Sequence, residues 1–179
     1  MEDLSTKIVN SVQAERNLKA RQRDIYDSHR HRAFSLAYYM TGNEVDAERI
    51  LTQTFVRAFE ASPEPTGQEV DQALLAELRK RVSLDLNIPV YTSVLSASAP
   101  LPRQAGQNVK RTDLEEAIGQ LPAMERFLFL LRDVEGYTPA TIAELLRLPE
   151  SYVHQGVFTA RARLRTMLVA RRVAKSAVA

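Results

Sequence analysis

The side chains best suited to chemistry lie at the C-terminal end of the chain. From His154 onward it carries Arg161, Arg163, Arg165, Arg171, Arg172 and Lys175 and no carboxylate. Cations clustered in this way suit an anionic partner, although a solvated basic tail has the same composition. The counterweight lies between Asn43 and Asp71, where seven carboxylates accompany only Arg49 and Arg57. The formal net charge of +2 is therefore the sum of two oppositely charged stretches.

Other chemistries find no support in the residue types. The absence of cysteine excludes disulfides, thiolate metal sites and cysteine nucleophiles. His29 and His31 are two apart, so on a helix they diverge by about 200°, and His154 stands alone. There is no glycine-rich phosphate loop, no Ser-His-Asp arrangement and no nucleophile elbow. The expectation is a protein without catalytic residues, metal or cofactor. Apolar runs fall far short of a membrane span, and the opening MEDLSTKIVN lacks the apolar stretch of a signal peptide. No membrane insertion and a cytoplasmic location are expected.

With 45% apolar residues in 179, the chain can bury a core, and the lack of tryptophan with only six glycines argues against aromatic-rich sheets. Helical spacing dominates instead, so the predicted class is all-α. Arg16 to Met40 reads as one or two helices, stopped at Thr41-Gly42-Asn43. Ala47, Ile50, Leu51, Phe55, Ala58 and Phe59 follow an amphipathic helical period. Ser62 to Gly67 interrupts it, and Leu74, Leu78, Val82 and Leu86 then recur every four residues. Between Leu86 and Thr112, Pro89, Pro100 and Pro102 sit among serines, which reads as a linker. Beyond it, Leu114, Ile118 and Leu121 predict a short helix ended by Pro122, and Met124 to Val134 a second, stopped at Gly136. Thr138-Pro139 has the form of a helix N-cap with proline at the first helical position. The helix it starts carries Ile142, Leu145 and Leu146. After Leu148-Pro149, with Ser151 as a cap, Val153, Val157, Leu164 and Leu168 form the stripe of a last helix. Two short helices joined by a tight turn make a helix-turn-helix candidate. The predicted division is 1–86 helical domain, 87–112 linker and 113–179 helix-turn-helix domain.

These residues resemble the extracytoplasmic-function (ECF) class of bacterial RNA polymerase sigma factors, of the sigma-70 family. Leu114 to Arg165, LEEAIGQLPAMERFLFLLRDVEGYTPATIAELLRLPESYVHQGVFTARARLR, is similar to the family's fourth-region domain. His31 to Phe59, HRAFSLAYYMTGNEVDAERILTQTFVRAF, resembles the helix pair of its second-region domain, and Leu74 to Asp85 the helix after it. The resemblance implies that the fourth-region domain binds the upstream (−35) promoter element with its last helix. The positions it points to are Thr138, Ser151, Tyr152, His154, Gln155, Phe158, Thr159, Arg161 and Arg165. It implies that the second-region domain engages the downstream (−10) element through Arg79, Lys80 and Arg81. The same domain would meet core RNA polymerase through Asp46, Glu48, Arg49, Gln53 and Arg57.

The chain departs from the family at several of these positions. Acidic residues are usual where Arg49 and Gln53 stand, and a cation there either opposes a polymerase arginine or sits on a solvated face. Leu74 replaces a tryptophan, and Lys80-Arg81 an Arg-Asn pair that here retains only phosphate-binding capacity. Base capture on aromatic rings has no candidates beyond Phe55, Phe59 and Tyr91, and the first two suit a core. In the last helix three basic positions have become His154, Gly156 and Thr159. At about 100° per residue, Phe158 points roughly 140° from the Val153 stripe, onto the face expected to meet DNA. Gln155 can pair with adenine, and Arg161, Arg163 and Arg165 can hold phosphate.

Two functions follow from the resemblance. The first is a sigma factor that brings RNA polymerase to specific promoter DNA for transcription initiation. The second is a sigma-like regulator that has lost promoter recognition and binds a protein, such as an anti-sigma factor, for which an exposed Phe158 is suited.

Overall fold

A computed structural model of the protein describes the backbone of residues 2–84 and 110–176 and the side chains of residues 10–84 and 110–171. Its internal contacts divide it into two compact units, Met1–Val82 and Ser83–Ala179. Every element within the described residues is helical. Of the segment 87–112 predicted as a linker, residues up to 109 lie outside the described residues.

The first unit packs three helices, α1 (Glu2–Thr41), α2 (Glu44–Ala61) and α3 (Gly67–Arg79). α1 starts well before the Arg16 expected from the sequence. Strong helix formers and i,i+4 pairs such as Lys19–Glu15 at 2.7 Å favour the helix ahead of Arg32. Among the described side chains of α1, the buried apolar ones are Ala33, Leu36, Ala37 and Met40. The turn follows the Thr41-Gly42-Asn43 signal closely. Gly42 takes φ +68°, a region open to glycine at no steric cost. Asn43 then caps α2 by accepting a hydrogen bond from the Val45 N–H at 2.9 Å.

α2 presents Ala47, Ile50, Thr54, Phe55 and Ala58 to the core, the period the sequence shows. A reciprocal cap opens α3. The Glu69 N–H donates to the Thr66 hydroxyl while the Thr66 N–H donates to the Glu69 carboxylate. Val70, Ala73, Leu74, Leu75 and Leu78 are its buried face. α3 stops at Arg79, so the four-residue stripe outruns the helix at Val82. Two carboxylates enter this interior, Asp71 paired with Arg32 and Glu77 paired with Arg57 and Lys80.

The second unit contains α4 (Arg111–Gly119), α5 (Ala123–Phe129), one π turn (Leu130–Val134), α6 (Pro139–Leu146) and α7 (Glu150–Ser176). Pro122 separates α4 from α5 as expected, since it lacks the N–H a continuous helix needs. Its core is built from Ile118, Leu121, Phe127, Leu128, Leu130, Leu131, Ile142, Val153 and Leu164. The helix predicted over Met124 to Val134 does not run regularly. Its last turn widens, with the Glu135 N–H donating to the Leu130 carbonyl at 2.9 Å. Gly136 at φ +76° then releases the chain toward α6.

Candidate nucleic-acid interface

The helix-turn-helix is assembled from local signals that the sequence states openly. The Thr138 hydroxyl accepts from the Thr141 N–H at 3.1 Å, and Pro139 follows at the first helical position. α6 buries Ile142, Ala143 and Leu146 and ends at Arg147 in the left-handed region, φ 56°. A non-glycine residue there costs about 1–2 kcal/mol, offset in part by the Leu148 N–H bond to the Ala143 carbonyl at 2.9 Å. α7 begins at Glu150, two residues before the start that a Ser151 cap would require. The Pro149 carbonyl accepts from the Tyr152 N–H at 3.0 Å, so Ser151 is not the cap and lies exposed in the first turn.

α7 divides into two faces. Val153, Val157, Ala160 and Leu164 are buried, and so are Gly156 and Thr159. The Thr159 hydroxyl donates to the Gln155 carbonyl at 2.9 Å within the helix. Thr159 is thereby corrected as a contact residue, because it faces the core of its own unit. For the same reason, the lack of basic residues at positions 156 and 159 leaves the outward face unaltered. That face carries His154, Phe158, Arg161 and Arg165 at i, i+4, i+7 and i+11, all exposed. Phe158 is 59% exposed, as the helical projection requires. Tyr152 and Gln155 are half-buried at its edge.

Much of the positive charge along α7 is already engaged within the unit. Arg161 holds Asp133 of the π turn by two hydrogen bonds, one from Nε to Oδ2 at 2.8 Å and one from Nη2 to Oδ1. That contact raises the Arg161 pKa further above its ordinary value. Arg163 turns inward, its Nε 2.9 Å from Oε2 of Glu125, which is 2% exposed. Burial pushes the Glu125 carboxyl above the ordinary carboxylate range, and Arg163 offsets this only in part. Arg171 reaches the Asp113 carbonyl at 2.8 Å and Glu116 at 3.1 Å. Arg165 alone of these remains exposed without an ion pair among the described residues. The side chains of Arg172 and Lys175 lie outside the described residues.

Sequence reasoning missed Asp133 and Arg132. The Arg132 guanidinium donates to the Tyr137 carbonyl at 3.1 Å. Arg132, Pro139, His154, Gln155, Phe158 and Arg161 line a groove of about 500 Å³ beside the outward face of α7. The only signal for Asp133 is its position two residues before Glu135-Gly136 in the quoted motif, since a 28-residue separation carries no periodic trace.

In the first unit, residues assigned to different partners meet each other. Arg81, predicted for the downstream element, pairs with Asp46, predicted for polymerase, at 2.9 Å. Arg57 and Lys80 share Glu77, at 2.8 and 2.7 Å. Burial works against the Glu77 charge, yet the hydrogen bonds from Lys80 and Arg57 prevail and hold its pKa below the ordinary value. Glu48, Arg49, Gln53 and Arg79 are exposed. Phe55 is buried and Phe59 half-buried, with Tyr26 edge-on to Phe55 at 4.7 Å, so these rings belong to the core and its margin. Tyr91 lies outside the described residues. Among the described residues, no helix is long and apolar enough to cross a membrane.

Likeness to known proteins follows this architecture. Residues 111–164, which hold α6 and the first half of α7, match the family Sigma-70, region 4. Over 147 residues the chain is 27% identical to the ECF RNA polymerase sigma factor SigE of Mycolicibacterium smegmatis. The match takes in 74% of this chain and 57% of that protein, so the chain spans little more than half the length of this relative. It is also similar in fold to the sigma factor RpoE in a co-crystal structure with the anti-sigma factor NepR from Bartonella quintana. The TM-score is 0.57 at 18% identity, over 82% of this chain and 97% of that one. With two helical units and a helix-turn-helix in the second, the chain is thus similar to sigma factors of the ECF class, and residues 111–164 carry the match to Sigma-70, region 4.

Proposed function

We propose that the protein is a sigma factor that associates with core RNA polymerase in the cytoplasm and directs it to promoters for transcription initiation. The observation that carries this reading is the outward face of α7. His154, Phe158, Arg161 and Arg165 form one continuous stripe on the second helix of a helix-turn-helix, the helix that enters the major groove in such motifs. Arg165 then contacts phosphate, Arg161 presents its remaining N–H donors at the groove, Gln155 and Phe158 meet base edges, and Thr138, Ser151, Tyr152 and His154 flank them. In the first unit, Arg79, Lys80 and Arg81 serve the downstream element as phosphate contacts. Asp46, Glu48, Arg49, Gln53 and Arg57 serve polymerase. The chemistry of RNA synthesis belongs to the polymerase, and this chain supplies none.

One observation favours a second reading, in which the α7 face binds a protein. Phe158 leaves a large apolar ring 59% exposed at its centre. An anti-sigma factor is the partner class this reading names, the class bound in the co-crystal of the similar fold. Transcription reconstituted from core polymerase, the purified protein and fragmented genomic DNA separates the two. The expected result is open complexes on a subset of fragments, reduced about tenfold or more by Phe158→Ser. Absence of any protein-dependent open complex overturns the sigma-factor reading.

A further inference from the structure

The π turn at the end of α5 brings an acidic residue against the outward face of α7. A π turn accommodates one residue more than the α-helical turn it replaces, so it re-aims the side chains that follow it. Here the widened turn Leu130–Val134 sets Asp133 against Arg161, 28 residues further along the chain. The contact is side-on: Asp133 takes Nε and Nη2 of the guanidinium. An arginine has five N–H donors in a planar fork, so three remain for a second acceptor. Arg161 is 55% exposed at its side chain while Asp133 is 22% exposed, so the acid lies behind and the cation in front. Arg161 lines the groove that also carries Gln155 and Phe158, and Asp133 holds it there.

We propose that Asp133 is a positioning residue for nucleic-acid recognition, one that fixes the Arg161 guanidinium at the groove and cancels its charge. This rests on the reading of α7 as a DNA-contacting helix. A fixed but neutralised arginine contributes geometry without the indiscriminate attraction of a free cation. Electrostatic binding to phosphate is independent of sequence and released by salt, whereas fixed donors favour the duplex whose groups match them. Asp133 therefore raises discrimination and lowers affinity for arbitrary duplex. Arg165, which has no such partner, provides the ordinary phosphate contact.

Two variants of the full-length protein separate positioning from charge. Asp133→Asn keeps the shape of the side chain and frees the Arg161 charge. On a random-sequence duplex near 0.1 M salt, one more phosphate contact tightens binding by up to about eightfold and steepens the salt slope by about 0.9. Arg161→Lys retains the charge pair and loses the two-point grip. It is expected to keep the wild-type salt slope while the ratio of affinities for a selected promoter fragment and the random duplex falls several-fold. Thermal melting by circular dichroism confirms that each variant is folded, and a purely structural role would alter melting without altering the slope. Wild-type slope and affinity in Asp133→Asn, with wild-type discrimination in Arg161→Lys, overturn the proposal while leaving the sigma-factor reading intact. A wild-type protein that binds no duplex at any salt concentration overturns both.

Discussion

A carboxylate shut away from water is costly unless cations reach it, and Glu77 shows how this chain meets that demand. It is 5% exposed and accepts from Arg57 and Lys80, two side chains whose charged ends still reach solvent. Glu77→Gln removes the charge-assisted part of both bonds and is expected to destabilise the first unit by roughly 1–3 kcal/mol at neutral pH. Its pKa is held below the ordinary 4.5, so the ionised form is favoured by folding. The stabilisation is complete above that value and is lost as pH falls through the folded pKa. Urea unfolding should therefore show the gap between wild type and Glu77→Gln narrowing as pH drops below about 4.5. A gap unchanged across that range excludes the ion pairs as its source. Glu125 shifts the opposite way, because burial outweighs its single partner Arg163.

Among the elements, the boundaries are where single residues decide most. The Thr66–Glu69 box satisfies two backbone donors at the start of α3, and Thr66→Ala is expected to cost about 1 kcal/mol. Gly136 lies between the π turn and α6 at φ +76°, and a Cβ there would meet nothing within 4 Å. The expected penalty of Gly136→Ala, about 1–2 kcal/mol, is therefore backbone strain alone. Chemical denaturation of both variants checks these figures. A neutral Gly136→Ala would mean that the turn relaxes to negative φ. The elements most visible beforehand were those with such punctuation. Thr41-Gly42-Asn43, Pro122, Gly136 and Thr138-Pro139 each mark a boundary by a backbone property of the residue itself. The π turn was not visible, since LFLLRDV has an ordinary helical period and the widening answers to packing. α7 starts two residues earlier than a Ser151 cap would put it, with Pro149 at the cap position and its carbonyl accepting the first helical bonds.

At the scale of the molecule, the basic C-terminal stretch is the feature most altered by folding. Composition counts Arg161, Arg163, Arg165 and Arg171 alike, whereas the structure gives them four different surroundings. Arg165→Ala should lower the salt slope of duplex binding by about 0.9 and weaken binding to all sequences alike. Arg163→Ala should leave that slope unchanged and destabilise the second unit, by about 3–5 kcal/mol at most, because Glu125 stays buried without its cation. The loss should shrink toward acid pH, where Glu125 is protonated. Salt titrations paired with unfolding curves read both effects. Equal slopes for the two variants would show that folding does not sort these arginines.

By itself the sequence determined the all-helical class, most helix boundaries and the resemblance to ECF sigma factors. Periodicity, capping and turn residues act within a few positions of one another, and that is the range over which a linear pattern can be read. It also determined which way Phe158 points, since a helix projects its own side chains. Only the tertiary structure decided which charges remain available. Asp133 meeting Arg161, Glu125 meeting Arg163, Asp46 meeting Arg81 and Thr159 turning inward all depend on packing between helices. Ion pairs 28 to 38 residues apart leave no local trace, because the chain folds back before the partners come within reach.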